Sequence, residues 1–371
     1  MYFKNFTLII LCLLLGGNIS YSQNGYVKKW SSPLDSNAVR GRLSEFSESN
    51  FHRLPEAMKD SLREPVWNLS KHSAGLYIDF KSAAESISVR YGVSGSLNMP
   101  HMPTTGVSGL DLYAFDTDRK EWNWAHGSYH FSDTITYNFS DLSAKGENLN
   151  YRLYLPLYNE VTWLEIATSD GVEVHYITPK PTNKAILVYG TSIAQGACAS
   201  RPGLAWTNIL GRLTNSPVIN LGFSGNGRLE PVLIERILNQ DALAIVLDCL
   251  PNLGVSKNLP ADKLKELIIN AVKQIRAANS QVPIIFTEHS AGFNPQVLNR
   301  NSHKVAEETT LIAREAIKEL MNAGVEHIYT LKNSAIDLSI NSTVDYVHPN
   351  DLGMEKIAEA YHELIKSRHI L

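Results

Sequence analysis

Cysteine is nearly absent from this chain. There are three in 371 residues, and one of them, Cys12, lies in an apolar leader. Cys198 and Cys249 are too few for a disulfide scaffold. They are either two small buried apolar residues or one bridge joining the loops after two neighbouring strands. Strong charge of one sign is also missing. A net charge of −3 creates no field for nucleic acid or an anionic membrane surface, so neither is an expected partner. No run beyond the leader is long and apolar enough to span a bilayer, so no transmembrane segment is expected. No repeat or low-complexity segment is present. His289, His303, His327, His348 and His362 show no metal-ligand spacing, and neither a metal nor a cofactor is expected. The chain also lacks Gly-x-Gly-x-x-Gly at the first strand-to-helix turn of its second half, and it lacks Gly-x-Ser-x-Gly. These absences argue against a dinucleotide fold and against the usual α/β-hydrolase elbow.

What is present is ordinary in bulk: 44% hydrophobic and 19% charged residues, in a length suited to two domains. Residues 1–22 have the pattern of a secretory signal. Lys4 gives the positive start, residues 6–15 the apolar core, and Ser20-Tyr21-Ser22 the small residues for cleavage before Gln23. No cysteine follows Leu14-Leu15-Gly16-Gly17, which argues against a lipid anchor. The mature protein is therefore expected to be exported, to the periplasm or beyond the cell.

Residues 23–181 alternate polar and apolar in short runs, at 75–80, 86–91, 110–114, 134–139, 151–155, 162–166 and 172–177, punctuated by Gly, Asn, Asp and Ser. That rhythm predicts an antiparallel, jelly-roll-like β-sandwich, preceded by one helical stretch at 55–61. Pro179-Lys180-Pro181-Thr182-Asn183 marks the junction. From 182 to 371 strand and helix alternate. Strands are expected at 185–189, 218–221, 244–247, 284–287 and 327–331, and helices at 205–213, 231–238, 261–278, 305–322 and 354–367. Strands this uniformly apolar are buried on both faces, which predicts a parallel sheet covered by helices, with its chemistry on loops at the strands' carboxyl ends.

Four segments on those loops carry chemistry-bearing residues. Gly190-Thr191-Ser192 places a hydroxyl where strand hands over to helix, facing unpaired N–H groups that favour developing negative charge. Gly222-Phe223-Ser224-Gly225-Asn226-Gly227 lets backbone N–H groups approach a substrate oxygen closely. Asp248-Cys249-Leu250-Pro251-Asn252 offers a side-chain amide as a second donor. Asp345-Tyr346-Val347-His348 places a carboxylate and an imidazole three residues apart before the last helix. Read singly, these are an N-cap serine, a Gly-rich turn, a turn asparagine and a polar surface loop. Read together they form one site for acyl transfer, with Ser192 as nucleophile, His348 as base and Asp345 as its orienter. A backbone N–H of the glycine-rich loop and the Asn252 amide could then donate to the developing oxyanion.

These blocks resemble those of the SGNH/GDSL hydrolase superfamily, which carry a Ser, a Gly, an Asn and a His in this order. The resemblance covers residues 185–371 and implies a flavodoxin-like sheet of order 2-1-3-4-5, with Ser192 N–H, Gly225 N–H and the Asn252 amide forming the oxyanion hole. Two departures stand out: Gly-Thr-Ser-Ile replaces Gly-Asp-Ser-Leu at Ser192, and Leu250-Pro251-Asn252-Leu253 replaces the usual Gly-x-Asn-Asp. Ser108-Gly109-Leu110-Asp111-Leu112-Tyr113 further resembles the Gly-x-Asp-Leu-Tyr motif of a β-rich domain that precedes one branch of that superfamily. His101, on the non-strand loop 98–103, and Asp111 are candidate substrate contacts, as is Glu288 beside His289 after the fourth strand of the second half. Glu288 and His289 are equally readable as a satisfied polar pair, and Gly109 and Asp111 as residues that shape a turn.

The expected function is hydrolysis of small acyl esters, acetyl above all, on an oligosaccharide or polysaccharide. Family resemblance carries the substrate class. Two alternatives use the same sequence: a carbohydrate-binding protein with a degenerate hydrolase half, and a sugar acyltransferase in which an alcohol replaces water. On the hydrolase reading, activity should fall on the acid side, where the imidazole protonates.

Overall fold

The structure, a computed structural model, describes residues 28–43, 49–142, 149–178, 184–288, 298 and 300–371. The leader 1–22 and the junction 179–183 lie outside them.

The first half holds strands β1 (Val39–Arg40), β2 (Tyr77–Ser82), β3 (Ile87–Val93), β4 (Asp111–Asp116), β5 (Glu121–Ala125), β6 (Ser128–His130), β7 (Ile135–Phe139), β8 (Leu149–Tyr154), β9 (Val161–Thr168) and β10 (His175–Tyr176). They make two antiparallel sheets. One runs β1-β2-β8-β4-β5 with β10 on β2, and the other runs β6-β7-β3-β9. Ile87, Val89 and Tyr91 alternate into the space between the sheets and meet Ile78, Phe80, Leu112, Leu153 and Leu164 there. The outer face of the larger sheet is covered where its tyrosines stand. Tyr77, Tyr113 and Tyr154 cluster on it, and the guanidinium groups of Arg152 and Arg212 lie over their rings. This explains why Tyr77–Ser82 reads as almost continuously buried rather than alternating.

The two-residue strand β1 was not expected, and neither were two longer strands, β5 and β6. Their side chains are mostly exposed, so the alternation that marks half-buried strands is weak there. The strand expected at 172–177 shrinks to the two residues of β10, and the stretch near 55–61 is a 3₁₀ helix, Glu56–Ser61, followed by helix α1 (Glu64–Ser70).

The second half follows the expected rhythm. Strands β11 (Ala185–Gly190), β12 (Val218–Gly222), β13 (Ala242–Asp248), β14 (Ile284–Thr287) and β15 (Ile328–Leu331) form a parallel sheet of order β12-β11-β13-β14-β15, the 2-1-3-4-5 order of the flavodoxin-like arrangement. Every residue of β11 is buried, as a central strand covered on both faces must be. Asn220, in the middle of buried β12, satisfies its amide completely. It donates to Ala194 O and Thr207 Oγ1 and accepts from Gly222 N–H.

Helices α2 (Thr104–Val107), α3 (Ser192–Gln195), α4 (Trp206–Thr214), α5 (Pro231–Leu238), α6 (Ala261–Ala278), α7 (Arg300–Asn322), α8 (Asn333–Ile336) and α9 (Asp351–Ser367) complete the chain. Leu264, Ile268, Ala271, Val272 and Ile275 give α6 one apolar stripe, which packs with α5 and α7 against one face of the sheet. On the other face α4 meets α9, with Trp206 stacked on Tyr361 at 4.5 Å between ring centroids.

The first half contributes to both of these layers. Leu54, Met58, Val66 and Trp67 join the α5–α6–α7 core, while Met102, Val107, Leu157 and Tyr158 join the α4–α9 core. Arg53 goes furthest in. It is fully buried and donates to the carbonyls of His72, Leu69, Asn220 and Gly222, with its guanidinium 4.8 Å from the Phe223 ring centroid. Burial pulls its pKa down to about 9, which still leaves it charged at neutral pH.

Candidate active site

The carboxyl end of β11 delivers Ser192 to a tight turn. Thr191 caps α3, its Oγ1 accepting from Ile193 N–H at 3.3 Å, and Ser192 is the first helical residue. After only four residues Gly196, at φ 106°, ends the helix in the left-handed conformation. Gly190 permits this crowding: a Cβ there would lie 2.5 Å from that of Ala194.

Ser192 Oγ lies 2.9 Å from His348 Nε2. His348 Nδ1 lies 2.7 Å from Asp345 Oδ2. An ionised carboxylate only accepts, so the proton sits on Nδ1 and Nε2 presents its lone pair to the serine hydroxyl. Asp345 Oδ1 accepts from the backbone N–H groups of His348 at 2.8 Å and Val347 at 3.1 Å. Partial burial pushes this carboxyl up, but the His348 and Val347 donors outweigh that and hold it below its ordinary value. The turn is closed from outside by Val344 N–H donating to His348 O and by a bridge between Thr343 and Pro349. Asn350 then caps α9 by accepting from Gly353 N–H.

The glycine-rich donor loop packs against the serine turn, and Asn252 is tied to it. Phe223 N–H donates to Gly190 O, and a Cβ on Gly227 would fall 2.0 Å from that same oxygen. Gly225 is left-handed at φ 68° with open space where a side chain would go. Gly227 N–H donates to Asn252 Oδ1 at 3.2 Å, which fixes the orientation of the Asn252 amide. Asn252 Nδ2 and Gly225 N–H make no hydrogen bond among the described residues. Sequence 98–108 of the first half reaches the same place. The His101 ring lies 5.7 Å from the His348 ring, centroid to centroid, and Thr105 Oγ1 donates to Ser200 O.

Residues 183–366 match the GDSL-like lipase/acylhydrolase family, and residues 28–174 match the N-terminal domain of SGNH-hydrolase-type esterases. Residues 183–366 of the chain belong to the GDSL-like lipase/acylhydrolase family. Its fold is that of a protein from Bacteroides ovatus assigned as a GDSL-like lipase (28% identity, TM-score 0.81, covering 92% of this chain and 97% of that one). A salicylyl-acyltransferase from a tetracycline biosynthetic pathway shares it at 18% identity (TM-score 0.74, 93% and 98% covered). So does an acetyl xylan esterase from the rumen bacterium Butyrivibrio proteoclasticus at 11% identity (TM-score 0.54, 92% and 99% covered). No curated protein matches the chain.

Two other residues of this GDSL-like hydrolase that the sequence singles out stand in fully bonded positions. Asp111 accepts from Trp124 Nε1, Arg201 Nη1 and Gly203 N–H at 2.7–2.8 Å. Burial pushes its carboxyl up, against the pull of Arg201. Arg201 also donates to Tyr113 Oη, so the Asp and Tyr of the Gly-x-Asp-Leu-Tyr motif jointly grip the segment between α3 and α4. Glu288 is buried and takes two hydrogen bonds from Arg314 and one from Asn333 N–H. Its neighbour His289 lies outside the described residues.

Other neighbours of the serine give little sign in the sequence. Tyr158 Oη donates to Ser192 O at 3.3 Å. Gln195 accepts from Ser224 N–H and reaches His72 Nδ1 through its amide nitrogen, linking the first two blocks to the first half. Burial, and then the nearby charge of Arg53, lower the pKa of His72 to about 4, so it stays neutral. Gln195 lies three residues after Ser192 on the same helix, which is the one local clue; the others arrive through tertiary packing. Cys198 and Cys249 are both buried and free. That decides the two readings of these residues against a bridge. Burial pushes the Cys198 thiol up to about 12.

Among the described residues no helix is long and apolar enough to cross a membrane.

Proposed function

We propose that this chain is an exported serine esterase that removes small acyl groups, acetyl above all, from a carbohydrate. The observation that carries the reading is the unbroken relay from Asp345 through His348 to Ser192, at 2.7 and 2.9 Å. In this reading Ser192 Oγ attacks the ester carbonyl while its proton passes to His348 Nε2. The carbonyl oxygen becomes an oxyanion held by Ser192 N–H, Gly225 N–H and Asn252 Nδ2. His348 then hands its proton to the departing sugar oxygen, which leaves as a hydroxyl, and an acyl-serine remains. Water, deprotonated by His348, attacks that ester, and collapse releases the carboxylic acid and restores Ser192. Asp345 stabilises the imidazolium in both halves of the cycle. No step requires a metal or cofactor.

The carbohydrate is supported by the leader sequence and by a shared fold with carbohydrate esterases, one of which, from Clostridium thermocellum, was crystallised with cellohexaose. His101, beside the His348 ring, is the proposed contact from the first half to a large substrate. Acyl transfer to a second sugar is the alternative chemistry, since an alcohol in place of water uses the same residues. A purely carbohydrate-binding role is disfavoured by the intact relay.

The test uses the purified protein on a panel of acetylated oligosaccharides, read by mass spectrometry with and without an acceptor alcohol. Free acetate is expected; a transferred acetyl group would favour the alternative. Ser192→Ala should lose about three decades or more of kcat on p-nitrophenyl acetate while keeping its fold. Turnover near wild type in that folded variant would refute the relay. His101→Ala should harm the glycan ester more than p-nitrophenyl acetate, because only the larger substrate has remote binding energy to lose.

A further inference from the structure

Cys198 has no part in the ester chemistry proposed above, yet it stands beside it. It follows the C-cap of α3 in a left-handed turn at φ 68°, and its thiol donates to His101 O at 3.4 Å. His101 arrives on loop 98–103 of the first half, and His348 arrives on the turn before α9. Each of the three residues offers one ligand atom, and these atoms all lie within 4.8 Å of one another. They come from three separate stretches of chain, so no local spacing announces them.

Two imidazoles and a sulfur suit a borderline-soft cation such as zinc, and they are a poor set for calcium or magnesium, which demand oxygen. Tetrahedral zinc holds nitrogen at about 2.0–2.1 Å and sulfur at about 2.3 Å, which places its ligand atoms between 3 and 4 Å apart, roughly an ångström closer than the limit seen here. Side-chain rotation covers that difference, since His101 and His348 are only partly buried. A metal-bound imidazole is usually held through its other nitrogen by a carboxylate, and Asp345 already occupies that position on His348 Nδ1. The nitrogen left for the metal is Nε2, the one that faces Ser192 Oγ.

We propose that His101, Cys198 and His348 form an inhibitory site for a zinc-class divalent cation. On binding, Cys198 releases its thiol proton to water as the sulfur–metal bond forms, and His348 commits the Nε2 lone pair to the cation. No electron is transferred, and a chelator reverses both bonds. That lone pair is the one needed to accept the Ser192 proton, so the bound cation stops the reaction instead of assisting it. The inhibition rests on the ester mechanism proposed above, whereas the binding does not.

The experiment therefore reads the two separately, with zinc and cobalt(II) as probes on the whole protein. Zinc should inhibit hydrolysis of p-nitrophenyl acetate, and excess EDTA should restore it. Cys198→Ser should hydrolyse the ester normally and need at least about tenfold more zinc for the same inhibition. Cobalt(II) should give the wild-type protein a near-ultraviolet thiolate-to-metal absorption that Cys198→Ser lacks. Cys198→Ala, checked by circular dichroism, repeats the comparison should serine disturb the turn. Equal zinc sensitivity in wild type and folded variants, or no thiolate band in the wild type, overturns the site. A thiolate band with undiminished turnover overturns the inhibitory role, because the cation then leaves the His348 Nε2 lone pair free. A metal-free protein inert toward every ester fails the esterase reading alone, and the cobalt spectrum still decides the site.

Discussion

Asp248, the last residue of β13, is fully buried beside Gly190 at the head of the serine turn, and its Oδ1 has no hydrogen-bond partner among the described residues. Burial raises its pKa from the ordinary 3.8 to about 7. The folded protein thus keeps a proton on Asp248 up to about pH 7, while the unfolded chain releases it near pH 4. Between those values the unfolded state binds fewer protons, so this group makes the fold progressively less stable as pH rises. The penalty is absent below about pH 4 and complete above about pH 7. At about 1.4 kcal/mol for each tenfold change in proton affinity, it amounts to about 4 kcal/mol. Asp248→Asn keeps the shape and cannot ionise. A chain of this length should gain about 5 °C in Tm from that amount. The assay is thermal melting of both proteins from pH 4 to pH 8. The amide will add an offset of its own, but the offset does not vary with pH. The gap in Tm between variant and wild type should therefore widen in the variant's favour by several degrees across the window. A gap that stays constant would refute the reasoning, because it would mean that Asp248 is solvated or paired in the folded protein.

The remaining expectations concern the donor loops and their support. Asn252→Ala should lower kcat by about two decades with little change in KM, measured on p-nitrophenyl acetate; a loss below about threefold would remove Asn252 from the oxyanion site. Arg53→Met should cost at least about 3 kcal/mol in denaturant unfolding, because four carbonyls lose their buried donor. Two of those carbonyls belong to the β12 end that leads to Gly225, so whatever Arg53→Met protein folds should also show reduced kcat. Wild-type stability in Arg53→Met would show that water replaces the guanidinium.

The second half of this chain was legible because local sequence and fold agree there. Short apolar runs such as Ile186-Leu187-Val188, bounded by turn residues, read as buried strands, and stripes such as Leu264, Ile268, Val272 and Ile275 read as one helix face. Helices α5 and α6 begin and end at the expected residues. The Asp-x-x-His turn is local as well: a three-residue separation suffices for Asp345 to accept from the backbone and face the ring of His348. The exposed strands β5 and β6 were illegible because a two-residue period shows only where one face is buried.

The sequence by itself determined the parallel sheet, its strand order through a family pattern, and the residues that could carry acyl chemistry. Only the tertiary structure decided what stands beside them. Bringing Ser192 to 2.9 Å from His348 closes a gap of 156 residues. Asp111 became a strut because folding placed Arg201 and Gly203 against it, and its carboxylate could remain buried only with such partners. Arg53, an unremarkable arginine in the sequence, became a buried brace for β12, and His101 and Cys198 became neighbours of His348. These outcomes depend on burial and on contacts between distant segments, and neither has a period that a linear sequence can display.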